Sequence, residues 1–570
     1  MNGPLPATLR LIPRRDFLRV SALAGLGVAG GLLAACGQQA APAKPAEPAK
    51  PAAPAVPTQA PAQAKPAEAA KPAEAAKPAE AAKPAEAKPA AAAEPKGTFT
   101  VAQGADTTSL DPQQTQGSAP RAMMAAMFDQ LVTLDWEYKI IPWVATSWST
   151  PDERTWVFNL RKDVEFHSGE KLTSAAVKWS IERFVAPETK NIYGNTLQQI
   201  EKIELPDDYT VKLTTKEPYP GLLDAMASYF YIAPPETMKK MGDEYFKKPV
   251  GSGPYKFVEW VAGDRLVQEA AKPHFSGDPR VKQIVWKTMT ESAARLTALR
   301  TGAADIINPV TPQEMGQITG AGLQAIQAKG QGLMTLVLNP STPPLNDVRV
   351  RQALNYATDK DQIIKVLLGG VGEPINGPLT FAHEGYDPSL KPPYPYDPDK
   401  AKALLAEAGL PNGFTIRFDT PSGRYLQDKQ IAEAIAGQWR KIGINAEVNP
   451  MEWGNFVKEA QAKTWQLFLI TQGSGGTQVL LSTCFSSKVK GLPWLGYSNP
   501  KVDETIEQAG KTMDKDKRVQ LYRDVVKAVR DDAPWVFLHQ LYDIYGVQNR
   551  VENWKPGGGI ILTRGVSVKA

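Results

Sequence analysis

Cysteine is almost absent from this chain of 570 residues, which contains only Cys36 and Cys484. A disulfide framework needs several pairs of cysteines, so cross-links cannot hold this fold together. About 470 residues follow a low-complexity N-terminal region, which is enough for two or three domains. The folded part must therefore rest on an apolar core of its own.

Histidine is scarce as well, and the short motifs of common enzyme sites are missing. The four histidines lie far apart, without the spacing of a metal site; they are His167, His274, His383 and His539. There is no G-x-S-x-G nucleophile elbow and no G-x-x-x-x-G-K-[ST] phosphate loop. No basic stretch alternates with aromatic residues, so nucleic acid is not an expected partner. A binding protein without a cofactor is favoured over an enzyme, although the many carboxylates leave a secreted hydrolase with a glycosidase-type acid pair as an alternative.

The N-terminal residues follow the order of an export signal. Arg14 and Arg15 belong to a basic front, and a run of small and apolar residues, 20–35, leads to Cys36. This run is shorter than the about 20 apolar residues that a permanent membrane helix needs. Residues 14–18 resemble the twin-arginine export signal, and residues 33–36 resemble the lipobox of bacterial lipoproteins.

These two resemblances imply that residues 1–35 are removed and that a diacylglyceryl group on Cys36 anchors the mature chain. Acyl chains contribute about 0.8 kcal/mol per buried CH₂, which is enough to hold a soluble domain at a membrane. The folded chain would then be exported to the outer face of the cytoplasmic membrane or to the periplasm. The alternative is an ordinary secretory peptide with a chance cysteine.

Residues 36–96 form a tether of alanine, proline, lysine and glutamate. The unit Lys-Pro-Ala-Glu-Ala-Ala begins at Lys65, Lys71 and Lys77, and a shortened copy begins at Lys83. Each unit contains a proline and nothing that can bury apolar surface, so a disordered segment of polyproline character is predicted. Its reach would be roughly 45 Å as a flexible coil and up to roughly 190 Å as a stiff rod.

After the tether the pattern becomes that of an α/β fold. Residues 155–160 alternate as a strand does. Asp397 before a proline predicts the start of a helix, and Gly409 predicts its end. Apolar residues at helical spacing predict a second helix over 431–442, and the alternating residues 444–448 predict a strand after it.

Several short segments follow one another after the tether. They are LDP at 110–112, ATSW at 145–148, TWVFNLR at 155–161, VEFHSG at 164–169, PVGSGPY at 249–255, DVRVRQAL at 347–354, YDPDKA at 396–401 and YSNPKVD at 497–503. In this order they resemble the extracytoplasmic solute-binding proteins of family 5, the receptors of peptide and nickel ABC importers. The resemblance covers essentially everything after the tether.

The resemblance implies an α/β, two-lobe hinged fold like that of periplasmic binding proteins, of a type II-like class with an extra subdomain. Lobe one is expected at 97–148, 249–338 and 531–570, the inserted subdomain at 149–248, and lobe two at 339–530. A solute would bind between the lobes and favour their closed form. The permease and the ATPase of the ABC importer would be separate subunits, and the receptor itself a monomer.

A peptide is the expected ligand, although one feature departs from peptide-binding relatives. In those relatives an acidic residue after a loop rich in glycine and tryptophan holds the ammonium group of the ligand. The corresponding loop here, 470–478, has no acidic residue and no tryptophan, and a buried ammonium without a carboxylate is costly. An oligosaccharide or a nickel chelate, with His383 as the nickel candidate, is the alternative.

The candidate ligand contacts lie in the expected lobe two, and no catalytic or metal-binding residue is predicted. Arg424 follows a turn and could pair with a ligand carboxylate, and tryptophans there could stack on a ligand. The loop offers backbone N–H groups and the side chain of Gln472. At least one of Trp453, Trp465 and Trp494 is expected in the core. The candidates are Arg424, Tyr425, Trp453, Gln472, Gly473, Ser474, Gly475 and Trp494.

Overall fold

The computed structural model describes residues 94–569, apart from 115–116, 192, 272–273, 474, 489–495 and 558. Arg14, Arg15, Cys36 and the tether up to residue 93 lie outside the described residues, as do Ser474 and Trp494. Among the helices of the described part, none has the length and apolar character needed to cross a membrane.

The described residues contain strands and helices throughout. The strands are β1 (Thr98–Gln103), β2 (Val132–Leu134), β3 (Ile140–Pro142), β4 (Ala145–Asp152), β5 (Thr155–Leu160), β6 (Ile200–Asp207), β7 (Thr210–Thr215), β8 (Tyr255–Val261), β9 (Arg265–Ala270), β10 (Gln283–Thr288), β11 (Ile306–Asn308), β12 (Gln324–Leu338), β13 (Glu373–Pro374), β14 (Thr415–Pro421), β15 (Asn445–Met451), β16 (Leu467–Gln472), β17 (Trp535–Val547), β18 (Val551–Glu552) and β19 (Ser567–Val568). The α-helices are α1 (Ser118–Met127), α2 (Ser174–Val185), α3 (Leu222–Tyr229), α4 (Pro235–Met241), α5 (Ser292–Arg300), α6 (Pro312–Gly320), α7 (Val348–Tyr356), α8 (Lys360–Leu367), α9 (Pro398–Glu407), α10 (Asp428–Arg440), α11 (Trp453–Ala462), α12 (Thr477–Phe485), α13 (Pro500–Lys511) and α14 (Lys515–Asp532).

One large sheet runs through the molecule, in the order β15-β14-β16-β12-β17-β11-β1-β10-β9-β8, with β13 alongside β17. Its two longest strands, β12 and β17, are antiparallel neighbours in the middle. We call β8, β9, β10, β1 and β11, with the adjoining halves of β12 and β17, lobe one. The strands β14, β15 and β16, with the other halves of β12 and β17, form lobe two.

The two lobes are joined where the pairing of β12 with β17 is interrupted. Lys329 pairs with Tyr542 and Leu333 pairs with Gln540, so residues 330–332 form a hinge segment outside the regular register. A Cβ on Gly332 would lie 2.8 Å from the Leu541 side chain, which makes glycine the residue that fits there. With the lobes defined in this way, β12 and β17 each contribute to both of them.

A separate antiparallel sheet, β4-β5-β7-β6, belongs to the inserted subdomain. With α2 and α3 it encloses its own apolar core, in which Phe158, Ile181 and Leu213 are fully or almost fully buried. β4 begins at Ala145, ahead of the predicted boundary at residue 149.

Local sequence signals account for several elements. The Asp397 carboxylate caps α9 by accepting the Lys400 N–H at 2.9 Å, and Gly409 follows the helix with φ of +81°. Helix α10 buries Ile431, Ile435 and Trp439, and β15 follows it. These observations confirm the helix and strand predictions for 397–448.

The PVGSGPY segment packs against the end of α1. Gly253 donates its N–H to the Met127 carbonyl at 2.8 Å, and a Cβ on Gly251 would lie only 2.0 Å from that same oxygen. The Ser252 hydroxyl donates to Asp129 at 2.8 Å. Nε2 of His167 lies 2.8 Å from the Gly253 carbonyl, so this histidine makes a structural hydrogen bond.

The LDP segment is joined to the inserted subdomain by a buried ion pair. The Arg183 guanidinium on α2 donates to both oxygens of Asp111, at 3.0 and 2.5 Å. It also donates to Gln113 at 2.7 Å. The side chain of Asp111 is 2% exposed and that of Arg183 is 16% exposed, so this pair is largely removed from water.

Candidate functional site

The cleft between the lobes begins where three parallel strands of lobe two end. β14 is parallel to both β15 and β16, so Pro421, Met451 and Gln472 end at one edge of the sheet. β16 also pairs with β12, and Gln472 lies opposite Leu333, next to the hinge segment. The carboxyl edge of parallel strands is where open α/β sheets bind ligands.

The loop after β16 is held by close contacts on both sides. Gly473 has φ of +111°, and a Cβ there would lie 2.4 Å from the Gln331 carbonyl of the hinge segment. Gly475 has φ of +91°, and a Cβ there would lie 3.4 Å from the Tyr229 hydroxyl of the inserted subdomain. A positive φ favours glycine at both positions, and at Gly473 the Gln331 carbonyl also leaves no room for a Cβ, so backbone comes close to the hinge there.

Gln472 has a buried donor at this edge. Its Nε2 has no hydrogen-bond partner among the described residues, while its Oε1 lies 3.4 Å from the thiol of Cys484. Gln478, by contrast, donates to Ser482 and to the carbonyl of Ile506, at 3.1 Å each, and is used in helix packing. A buried amide N–H₂ without a partner is costly unless a ligand or water accepts from it.

Arg424, Tyr425 and Trp453 form one cluster at the same edge of lobe two. The Arg424 guanidinium carbon lies 4.9 Å from the centre of the Trp453 ring and 5.8 Å from that of Tyr425. Arg424 is exposed, whereas Trp453 and Tyr425 are half-buried. Trp465 is 1% exposed and belongs to the core of lobe two, as expected for at least one of the three tryptophans.

Lobe one has a small cavity of its own beside the hinge, and sequence reasoning missed it. Asp543 and Tyr545 of β17, Gln103 at the end of β1 and residues of α1 line a small cavity. Nε2 of Gln103 is buried, and no residue in the described part of the chain forms a hydrogen bond with it. The signal in the sequence was an acidic residue, Asp543, inside a strand whose other polar side chains are those of His539 and Gln540, besides its tyrosines.

The inserted subdomain and lobe one both touch lobe two across the cleft. Tyr138, whose φ of +64° is rare for a residue with a side chain, meets Phe381 edge-on with ring centres 5.6 Å apart. Lys511 of α13 pairs with Glu217 at 3.1 Å. Burial raises the pKa of Asp224 to about 6, and this carboxylate lies against Gly476 of the loop.

The buried histidines of lobe two are neutral and serve the fold. Burial lowers the pKa of His383 and of His539 to about 4. Nδ1 of His383 accepts the Thr380 N–H at 3.1 Å. Among the described residues there is no group of three or more His, Cys, Asp or Glu side chains placed to hold a metal ion.

The cleft, the hinge and the inserted subdomain agree with comparisons to known proteins. The family model for bacterial extracellular solute-binding proteins, family 5 (middle part), matches residues 139–488. The chain belongs to this family. Family 5 proteins are extracytoplasmic receptors that bind a solute and deliver it to an ABC importer; they are not enzymes.

Two kinds of relative support the assignment to family 5. The glutathione-binding protein GsiB of Pectobacterium atrosepticum is 31% identical over 457 residues, which is 77% of this chain and 87% of the relative. Among solved structures, the periplasmic binding protein DppA of Helicobacter pylori, in complex with the peptide STSA, is 26% identical with a TM-score of 0.70, over 83% of this chain and 98% of that one. The AgaA structure from A. tumefaciens R10, in complex with agropinic acid, is 27% identical with a TM-score of 0.69, over 83% and 99% of the two chains.

These comparisons confirm the family and the two-lobe hinged fold predicted from the short segments. The candidate ligand-contacting residues lie at two places on this edge of the sheet. Gln472, Gly473 and Gly475 lie beside the hinge, whereas Arg424, Tyr425 and Trp453 lie further from it along the same edge. Which of these residues touch the solute stays a prediction.

Proposed function

We propose that this family 5 receptor captures a short peptide outside the cytoplasm and hands it to its ABC importer. The observation that carries the proposal is the 31% identity to a glutathione-binding protein along 87% of that protein. The 26% identical DppA, whose structure holds a four-residue peptide, supports the same class of ligand. The cleft also has the buried neutral donors of Gln103 and Gln472, which suit the many carbonyl groups of a peptide.

We further propose how the chain closes on its ligand. In this proposal the chain bends at residues 330–332. The loop 472–476 donates backbone N–H groups to the ligand, and Gln472 donates the N–H of its side-chain amide. Arg424, Tyr425, Trp453 and Trp494 are proposed for the outer part of the cleft. Ligand binding stabilises the closed form because only that form contacts the ligand from both lobes. The receptor is proposed to act as a monomer with separate permease and ATPase subunits.

Calorimetric titration of the purified chain tests the ligand class. Glutathione and the tetrapeptide STSA are expected to bind saturably, with agropinic acid as a non-peptide comparison. Mass spectrometry after incubation is expected to recover both peptides intact, because no catalytic group is proposed in the cleft. Binding of agropinic acid alone would contradict the peptide assignment, and release of hydrolysis products would favour the hydrolase alternative.

We also propose that a lipid on Cys36 anchors the receptor and that residues 1–35 direct its export as a twin-arginine signal. The Cys36→Ala variant should then appear in the soluble fraction after cell fractionation, because it lacks the sulfur that carries the diacylglyceryl group. Cys484→Ala is the matched control: Cys484 is buried in lobe two, so this variant should stay with the membrane. A Cys36→Ala protein that remains membrane-bound would contradict the lipid anchor.

A further inference from the structure

Asp543 lies on crossing strand β17, directly beside the hinge. It pairs in register with Ala328 of β12, close to where the hinge segment begins. Because side chains alternate along a strand, Asp543 and Tyr545 point to the same face of β17. That face borders the small cavity of lobe one that Gln103 also lines.

The carboxylate of Asp543 has no counter-charge in the described part of the chain. Nothing there donates a hydrogen bond to it or forms an ion pair with it, and burial alone raises its pKa to about 6. Lys329, the cation on the neighbouring strand, pairs with Glu373 at 2.7 Å. The Arg121 guanidinium stands over the Tyr229 ring, 5.7 Å from its centre. Taking a carboxylate out of water without a partner is costly, so a partner is expected to arrive from outside the chain.

Aromatic rings surround this carboxylate. Burial, followed by the charge of Asp543, raises the pKa of both Tyr138 and Tyr545 above the usual range, so the two hydroxyls stay protonated. Phe381 of lobe two stands edge-on against Tyr138. The faces of aromatic rings attract cations, most strongly where water is excluded. A carboxylate near such rings suits a cation.

An organic cation fits this position better than a metal ion. Calcium and magnesium require several oxygen ligands, and the described residues contain no group of three acidic, histidine or cysteine side chains placed to provide them. A primary ammonium group needs one carboxylate and a few neutral acceptors, and the tyrosine hydroxyls and Gln103 can provide these.

We propose that Asp543 receives the ammonium group of the bound ligand, which makes the ligand class a peptide or amino-acid derivative with a free primary amine. The proposal rests on the proposed function. Asp543 would take the place of the acidic residue that the loop 470–478 lacks. It would do so from strand β17, on the opposite side of the cleft.

The test compares free and blocked amines on matched variants by calorimetric titration. STSA and glutathione, each with its N-acetylated form, are titrated into the wild-type chain, Asp543→Asn and the control Asp516→Asn, which removes the same charge from an exposed position on α14. N-acetylation should weaken wild-type binding by roughly 10- to 150-fold, as expected for a lost charge-assisted hydrogen bond. Asp543→Asn should bind the free amines more weakly by a similar factor, while its affinity for the acetylated forms should change by less than about threefold. Asp516→Asn should match the wild type.

A thermal melt separates a ligand contact from a structural role. Because ionisation of the half-buried Asp543 is unfavourable in the folded chain, Asp543→Asn should melt no lower than the wild type. A lower Tm, equal losses for free and acetylated peptides, or unchanged binding of the free amines would each overturn the proposal.

If the wild-type chain bound neither peptide, that result would count against the proposed function and not against the role of Asp543. The ligand that copurifies with the chain, released by acid and treated with an amine-specific reagent, then decides the role of Asp543 by mass spectrometry. A primary amine in that ligand supports the assignment, and its absence overturns it.

Discussion

Replacing Asp111 with alanine should lower the free energy of unfolding by about 3–5 kcal/mol, because the change leaves the buried Arg183 guanidinium without its carboxylate. Three N–H···O contacts hold this guanidinium, and two of them end on Asp111. Stability of folded domains amounts to only about 5–15 kcal/mol, so the loss is a large share. Denaturant unfolding followed by circular dichroism measures it.

Asp163→Ala is the matched control for Asp111→Ala. Asp163 also pairs with an arginine, Arg161 at 2.7 Å, but its side chain is 63% exposed. Exposed pairs contribute less than about 1 kcal/mol, so this variant should unfold almost as the wild type does. Equal losses for the two variants would mean that burial of the Asp111 pair does not decide its contribution.

Replacing Gly251 with alanine is the second change with a large expected effect. The new Cβ would stand 2.0 Å from the Met127 carbonyl oxygen, and the clash is with backbone, which cannot rotate away as a side chain would. The PVGSGPY segment would have to separate from α1, which would weaken the Gly253 and Ser252 hydrogen bonds. We expect the free energy of unfolding to fall by about 3 kcal/mol.

Gly437→Ala tests whether the loss at Gly251 comes from the clash. Gly437 lies within α10, has no positive φ and would place its Cβ where no atom comes within 4 Å. Alanine favours a helix over glycine by about 0.8–1 kcal/mol, so this variant should be as stable as the wild type or more stable. If Gly251→Ala unfolded at the same midpoint denaturant concentration as the wild type, the packing described for the PVGSGPY segment would be contradicted.

The parts of the fold that follow from neighbours in the chain were predictable. Asp397 caps α9 through an atom three residues away, and Gly409 and Gly443 end their helices by adopting positive φ. Such signals need no knowledge of the rest of the molecule. The short family segments supplied the remaining architecture, because their order reports the topology that local patterns leave open.

The site was only partly predictable because its two walls come from distant parts of the sequence. Gly473 and Gln331 are neighbours in space only because β16 pairs with β12. Asp543 lies beside the hinge because β17 crosses from one lobe to the other, which a strand-like pattern cannot reveal. Arg424 was proposed from its turn alone, and the structure adds that its guanidinium stands over Trp453.

The central position of β17 has a consequence for the order of events during synthesis. In lobe one this strand stands between β11 and β12, and in lobe two it also borders β12. It is made last among the strands of the large sheet, so a nascent chain that ends before Trp535 has a gap in both lobes at once. Neither lobe can complete its part of the sheet ahead of the other, because both receive β17 at the same point of synthesis.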